Sequence, residues 1–332
     1  MSTSNDIQTE PSSDRPLWLV HIEQTIEEER DELFSESPFY EIVRDLLLAP
    51  EDDSHAVSQA VSRFYQLYAA GAEERSRKPP EYSAGHYLNS IACVAFETAR
   101  EVPFNTYQHD RLVEFLVGIK KGAADEYDTK VRCSRWLLKP LFLTTVKDPK
   151  FVYYRWGLET AADEHWNHGP VDALTQKRAT EPELVWTGSW IGIAALIAKL
   201  FKEGLLDDDG PRWITGDFVR AFKSNAPGDV TIDIGRQAQV LAVVNYILIA
   251  GEAYAKEAKA PQRLHLAVDA NKWRLWASKL REVADVVDQN AKWDLKERAQ
   301  KAYDKMVELY PEAFEDEQQD MGDPVAQVGI LG

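Results

Sequence analysis

Cysteine is nearly absent from this 332-residue chain: Cys93 and Cys133 are the whole complement. Two thiols exclude a disulfide framework and a cysteine-built zinc site. A basic excess is also missing. With 38 Lys and Arg against 55 Asp and Glu, the net charge is −17, the wrong sign for a phosphate backbone. Nucleic acid is therefore excluded as a partner. The longest uncharged runs, Leu184–Ala198 and Gln237–Gly251, stop at 15 residues each. A membrane span needs roughly 20, so both runs read as helices of a protein core and no membrane partner is expected. Met1–Pro16 has neither a basic segment nor an apolar one, so it does not read as a signal peptide, and it lacks the arginine bias of a mitochondrial presequence. The expected compartment is the cytoplasm.

Catalytic signatures are missing as well. There is no Gly-rich phosphate cradle of the P-loop or dinucleotide type and no G-x-S-x-G elbow. Asp207-Asp208-Asp209 invites comparison with the magnesium-binding aspartates of helical enzymes that ionise prenyl diphosphates. That chemistry needs carboxylates one helical turn apart, and here Gly210-Pro211 follows at once, which places the triplet in a loop. The sequence calls for no cofactor and no metal.

What is present is helical grammar. The 44% hydrophobic and 11% aromatic content suffices for a core. Ser37-Pro38 opens a helix that Pro50 ends, and Asp148-Pro149 opens one that runs to Gly169-Pro170. Thr180 with Glu183 forms a capping box, and Gly204 supplies the stop of that helix. Between them Trp186, Trp190, Ile193, Ile197 and Leu200 share one face, widened by Ile191 and Ala194. Further stripes begin at Ser54, Tyr87, Leu112, Asp233 and Trp273, and a last one runs from Trp293 to Leu309. No alternating strand pattern bounded by hairpin turns occurs. The fold class expected is all-α, an irregular bundle of about ten helices, with two helical halves as a possible division.

Charge divides the chain further. Residues 1–55 carry 15 acidic and 3 basic side chains, and residues 311–332 carry 6 acidic and none basic. The stretch between them, 56–310, is near neutral with 34 acidic against 35 basic. The expected organisation is an acidic disordered tail over 1–16, one helical domain over 17–310 with a sub-boundary near 123–147, and an acidic tail over 311–332. Such ends either solubilise the chain or dock a basic protein partner.

Four residues stand out as candidate ligand contacts. Asp233 and Arg236, three apart at the head of a nearly all-apolar helix, form either a structural pair or a polar anchor in a pocket. His165 lies three residues before His168 near a helix end, where a metal or the helix dipole would account for it. Trp190 belongs to a stripe that serves either as plain core or as the lining of a pocket for a hydrophobic small molecule. His109, Asp110 and Arg111 open another helix, where adjacent side chains diverge. Arg132 and Arg135 flank Cys133.

The stretch from Tyr87 to Gly122, "YLNSIACVAFETAREVPFNTYQHDRLVEFLVGIKKG", resembles the opening motif of a filamentous-fungal family known only as a domain of unknown function. In that pattern a helix of small and apolar residues leads through a proline-containing turn to a "QDRLVELL" segment. Here Gln108 to Leu116 read "QHDRLVEFL", with His109 inserted. The helix Leu184–Leu200 is similar to that family's C-terminal half. The resemblance implies a fungal, intracellular, all-helical protein, associated at times with specialised-metabolism genes, and it carries over no catalytic residue, cofactor or substrate. Two functions are consistent with these observations. One is a non-catalytic interaction or regulatory protein. The other is a metal-independent enzyme or small-molecule binder with an aromatic pocket formed by Trp190, His165, Arg236 and Asp233.

Overall fold

The computed structural model describes residues 15–32, 35–71, 84–122, 149–167, 183–206, 210–222, 228–260 and 268–315. Most of both tails, the segment 123–147 with Cys133, and the residues Thr180, His168 and 207–209 lie outside them. Among the described residues there are eleven α-helices and no strand. They are α1 Leu17–Glu28, α2 Ser37–Leu48, α3 Ala56–Ala70, α4 Ala84–Ala99, α5 Tyr107–Gly122, α6 Pro149–Asn167, α7 Glu183–Lys202, α8 Gly210–Phe222, α9 Ile234–Lys259, α10 Ala270–Val286 and α11 Leu295–Leu309. The expected all-α bundle is what forms.

The central pair is α7 against α9, and every other layer is built on it. On one side α7 meets α4, α5 and α6, with α1, α2 and α3 packed beyond; on the other, α9 meets α8, α10 and α11. Buried side chains from Trp18 to Ala313 form one continuous cluster. Helix α9 is long and apolar enough to cross a membrane by length and composition, and 78% of its most apolar window is buried in the protein. A helix apolar nearly all round is what a central core position demands.

Several stops work as their chemistry requires. Gly204 sits at φ +71°, and Leu205 N donates to Leu200 O while Gly204 N donates to Phe201 O. That is a Schellman closure of α7. Asp233 caps α9 by accepting from Arg236 N at 2.7 Å, and Asp269 caps α10 in the same way from Lys272 N at 2.8 Å.

Three details depart from the sequence reading. Gly210-Pro211 begins helix α8, which had no stripe assigned to it, with Trp213, Ile214, Phe218 and Ala221 buried beneath it. Helix α1, which buries Trp18, Leu19, Ile22 and Ile26, had no stripe assigned to it. Trp293 lies outside α11, in a 3-10 turn at φ 61°, so the helix starts two residues later.

Gly192 fixes the crossing of α7 over the end of α4. A Cβ there would lie 2.0 Å from the carbonyl oxygen of Ala99, which is backbone and cannot rotate away. One turn earlier, Gly188 is exposed and has open space around it. The two glycines should therefore respond oppositely to alanine in urea unfolding. Gly192→Ala should lose about 3 kcal/mol or more as the helices are forced apart, while Gly188→Ala should gain up to about 1 kcal/mol from helix propensity.

Candidate functional site

Helix α9 begins with a tightly built entry. Gly228 adopts φ +89°, and Asp229 Oδ1 accepts from Thr231 N at 2.9 Å and Thr231 Oγ1 at 2.8 Å. A Cβ on Gly228 would lie 2.4 Å from Asp233 Oδ2, so glycine is required twice, for its φ and for the cap. Gln237 Nε2 donates to Val230 O at 3.0 Å and ties the turn to the helix. This rigid entry delivers Arg236 on the first turn.

Arg236 lines a cleft of about 300 Å³ where α8, the entry turn and α10 meet. Its apolar wall is made by Phe222 and Ala221 from α8, Val230 from the turn, Val240 from α9 and Val283 from α10, with Asp229 of the turn as a charged neighbour. Lys279 and Glu282 sit at its edge, joined at 2.5 Å. Val286, 52% exposed, also lines it, and Ile232 of the entry turn is 79% exposed. Arg236 Nη1 donates to Arg220 O at 3.1 Å and to Gln239 Oε1 at 3.0 Å. Burial pulls the guanidinium below the usual arginine value, with Asp233 pulling the other way.

The other expected contacts lie elsewhere. His165 is buried on the last turn of α6 and stacks on Phe96 of α4, with ring centroids 5.7 Å apart and an interplanar angle of 9°. Trp190 is half-buried on α7 against the core. Neither lines the cleft that Arg236 lines. Asp233 is at the entry as the α9 cap, next to the cleft in sequence but not among its lining residues. The tryptophan excess is used in part as a stack: Phe218 lies 4.4 Å from Trp276 at 15°, with Tyr254 and Trp273 continuing the pile. The thiol of Cys93 is pushed up to about 12 by burial and then by Glu164, Glu36 and Glu97, the opposite of a nucleophile's environment. Among the described residues no group of three metal-ligating side chains converges.

Two polar clusters were not legible in the sequence. In the first, Asp217 of α8 is fully buried, accepts from Tyr246 Oη at 3.0 Å, and pairs with Arg220 at 3.2 Å. Arg220 in turn lies 3.8 Å above the ring of Trp166. Burial raises the Asp217 carboxyl above the ordinary carboxylate range, against the pull of Arg220 and Tyr246. In the second, Lys199 of α7 reaches Asp110 Oδ1 at 2.7 Å, Phe104 O at 2.7 Å and His109 Nδ1 at 3.1 Å. Lysine has only donors, so Nδ1 accepts, and Nε2–H donates to Gly192 O at 3.1 Å. Adjacent residues of α5 that diverge on the helix are thus gathered by one ammonium from another.

These features define a class: an all-α helical protein with a mixed apolar and charged cleft that one arginine lines. A family model described as Protein of unknown function (DUF3632) matches residues 94–301, and the chain belongs to that family. The match takes in all the cleft residues and most of the "QHDRLVEFL" motif's helix pair. No curated protein and no solved structure matches the chain.

His109 carries a pH dependence. Desolvation first, and Lys199 second, bring its imidazole down to about 3. The unfolded chain takes a proton near pH 6.5, where the folded protein refuses it. The stability His109 contributes is therefore complete above about pH 6.5 and is lost as pH falls toward 3. Between pH 7.5 and 4.5 this amounts to a few kcal/mol, on the order of the shift itself. In urea unfolding, His109→Gln should show an acid-side loss smaller than the wild type's by that amount; parallel pH profiles would contradict it.

Proposed function

We propose that the protein is a non-catalytic helical binding protein whose ligand is a small, largely hydrophobic molecule held in the cleft between α8, α9 and α10. The observation that carries this reading is the cleft itself. Its volume of about 300 Å³ falls at the lower end of the range for small-molecule sites, and its lining joins six apolar side chains, Ala221, Phe222, Val230, Val240, Val283 and Val286, to four charged ones, Asp229, Arg236, Lys279 and Glu282. The valine at its edge is half exposed, and the isoleucine of the adjoining turn is more so. Large apolar side chains facing water beside a concave apolar surface are a common sign of a binding site.

Titration with the neutral dye N-phenyl-1-naphthylamine tests this directly. The wild type should enhance its fluorescence saturably, with one site per chain. Val286→Trp, a change at an exposed position, should weaken that binding tenfold or more by obstructing the cleft, with an unchanged melting temperature. Unsaturable enhancement, or equal binding by the variant, would contradict the reading.

A second reading places a basic protein partner on the acidic ends, and the charge division favours it: 15 acidic against 3 basic side chains over residues 1–55, and 6 against none over 311–332. Its regulatory role would be independent of the cleft. Deleting residues 1–16 and 312–332 should then abolish retention of the partner in a pull-down, and unchanged retention would exclude docking through the tails.

A further inference from the structure

The charged groups around the cleft are unequally satisfied. Glu282 is paired with Lys279 at 2.5 Å. Asp229 accepts two hydrogen bonds from Thr231 within its own turn. Asp233 caps its own helix by accepting from the backbone N–H of Arg236. Each acidic group has a local partner, and each of those bonds is short.

Arg236 is different. It is half-buried and permanently charged, yet among the described residues no carboxylate oxygen lies within 4 Å of its guanidinium. Both of its side-chain hydrogen bonds leave from one nitrogen, Nη1. Those two bonds orient the planar group against the end of α8. Nε and Nη2 donate to nothing among the described residues, although together they form one of the two edges on which a guanidinium receives a carboxylate bidentately. Asp233 attracts the guanidinium through space while its carboxylate bonds the backbone N–H, so an anion on the open edge would still gain two charge-assisted hydrogen bonds.

We infer that the cleft selects a small carboxylate with an apolar body, the carboxylate seated on the Nε–Nη2 edge of Arg236 and the body against Val240, Val283 and Phe222. This rests on the reading of the cleft as a small-molecule site and adds the charge of the ligand. The cleft takes in a body the size of about ten water molecules at liquid density. Arg236 supplies selectivity through its charge and its planarity. Lys279 is neutralised by Glu282, and Asp229, which also lines the cleft, opposes a negative ligand, so the preference rests on the bidentate edge rather than on the net charge of the lining.

The test uses two probes of equal chain length, octanoate and octan-1-ol, followed by ligand-observed NMR titration of the full chain. The wild type should bind octanoate at least tenfold more tightly than octanol, and raising NaCl from 50 to 500 mM should weaken octanoate alone. Arg236→Met should remove the preference and leave octanol affinity unchanged. Arg236→Lys, which keeps the charge and loses the bidentate edge, should retain part of it and guards against a general loss of fold. Equal affinity for the two probes in the wild type would overturn the carboxylate assignment while leaving a neutral-ligand cleft standing. Binding of neither probe would overturn both. A preference that survives Arg236→Met would overturn the role given to this residue.

Discussion

Long cationic side chains that reach from one helix to the free carbonyl end of another hold this bundle in register. The last four carbonyls of any α-helix have no partner within it, and they are the negative end of its dipole. Arg111 of α5 bonds the carbonyls of Leu46, Ala49, Pro50 and Glu51 where α2 ends. Lys296 of α11 takes those of Ala284 and Val287 at the end of α10, at 2.6 and 3.0 Å. Lys120 of α5 reaches Gly204 at the stop of α7, and Arg236 of α9 takes Arg220 near the end of α8. Charge-assisted bonds of this kind are roughly twice as strong as neutral ones. Each also fixes the height of one helix against another, which apolar packing alone does weakly.

This use of cations bears on the electrostatics of the whole chain. The stretch 56–310 balances 34 acidic with 35 basic residues, yet several of its most buried cations face carbonyls rather than carboxylates. The near-neutral body thus combines ion pairs, such as Lys199–Asp110 and Arg220–Asp217, with cations directed at helix ends. Helix α9 shows the same device in its interior. At Ala250 its backbone leaves helical geometry with φ −119° and ψ 15°, and Lys305 Nζ donates to Leu248 O at 3.2 Å beside the break. A carbonyl released by a kink needs an outside donor, and a lysine from α11 provides it.

How much of this was legible in the sequence depends on range. Signals that act over four residues were read directly: the Gly204 stop and the proline at the start of α2. Asp233 was read as the head of α9 and as a partner of the Arg236 side chain, whereas its carboxylate caps the helix through the Arg236 backbone N–H. Helix α8 was missed because Gly-Pro punctuates in both directions, and a proline that forbids the interior of a helix is equally at home in its first turn. The cleft was half legible. Arg236 and Asp233 were visible as a pair three apart, but Lys279, Val283 and Phe222 join them only through tertiary packing. Lys199 gave no local signal at all, since its meaning lies in contacts with Phe104, His109 and Asp110 some ninety residues earlier.

The separation of His165 from Arg236 follows from one step of helix rotation. Neighbouring residues on a helix point about 100° apart, so α6 sends His165 to the face of α4, where it stacks on Phe96, and the next residue, Trp166, toward α8. Trp166 lies beneath the guanidinium of Arg220, and the carbonyl of Arg220 receives Arg236. The aromatic signal in the sequence therefore supports the cleft one residue away from where the histidine pointed. On the far side of α8, Phe218 stacks on Trp276 and sets the distance between the two helices that wall the cleft. Rings in stacked contact resist both approach and separation, because a gap of half an ångström already forfeits a large part of their dispersion energy. The cleft is consequently framed by its neighbours' core packing. A ligand of the proposed kind would meet a wall whose geometry was established when the bundle folded, with Arg236 already oriented by the helix end it caps.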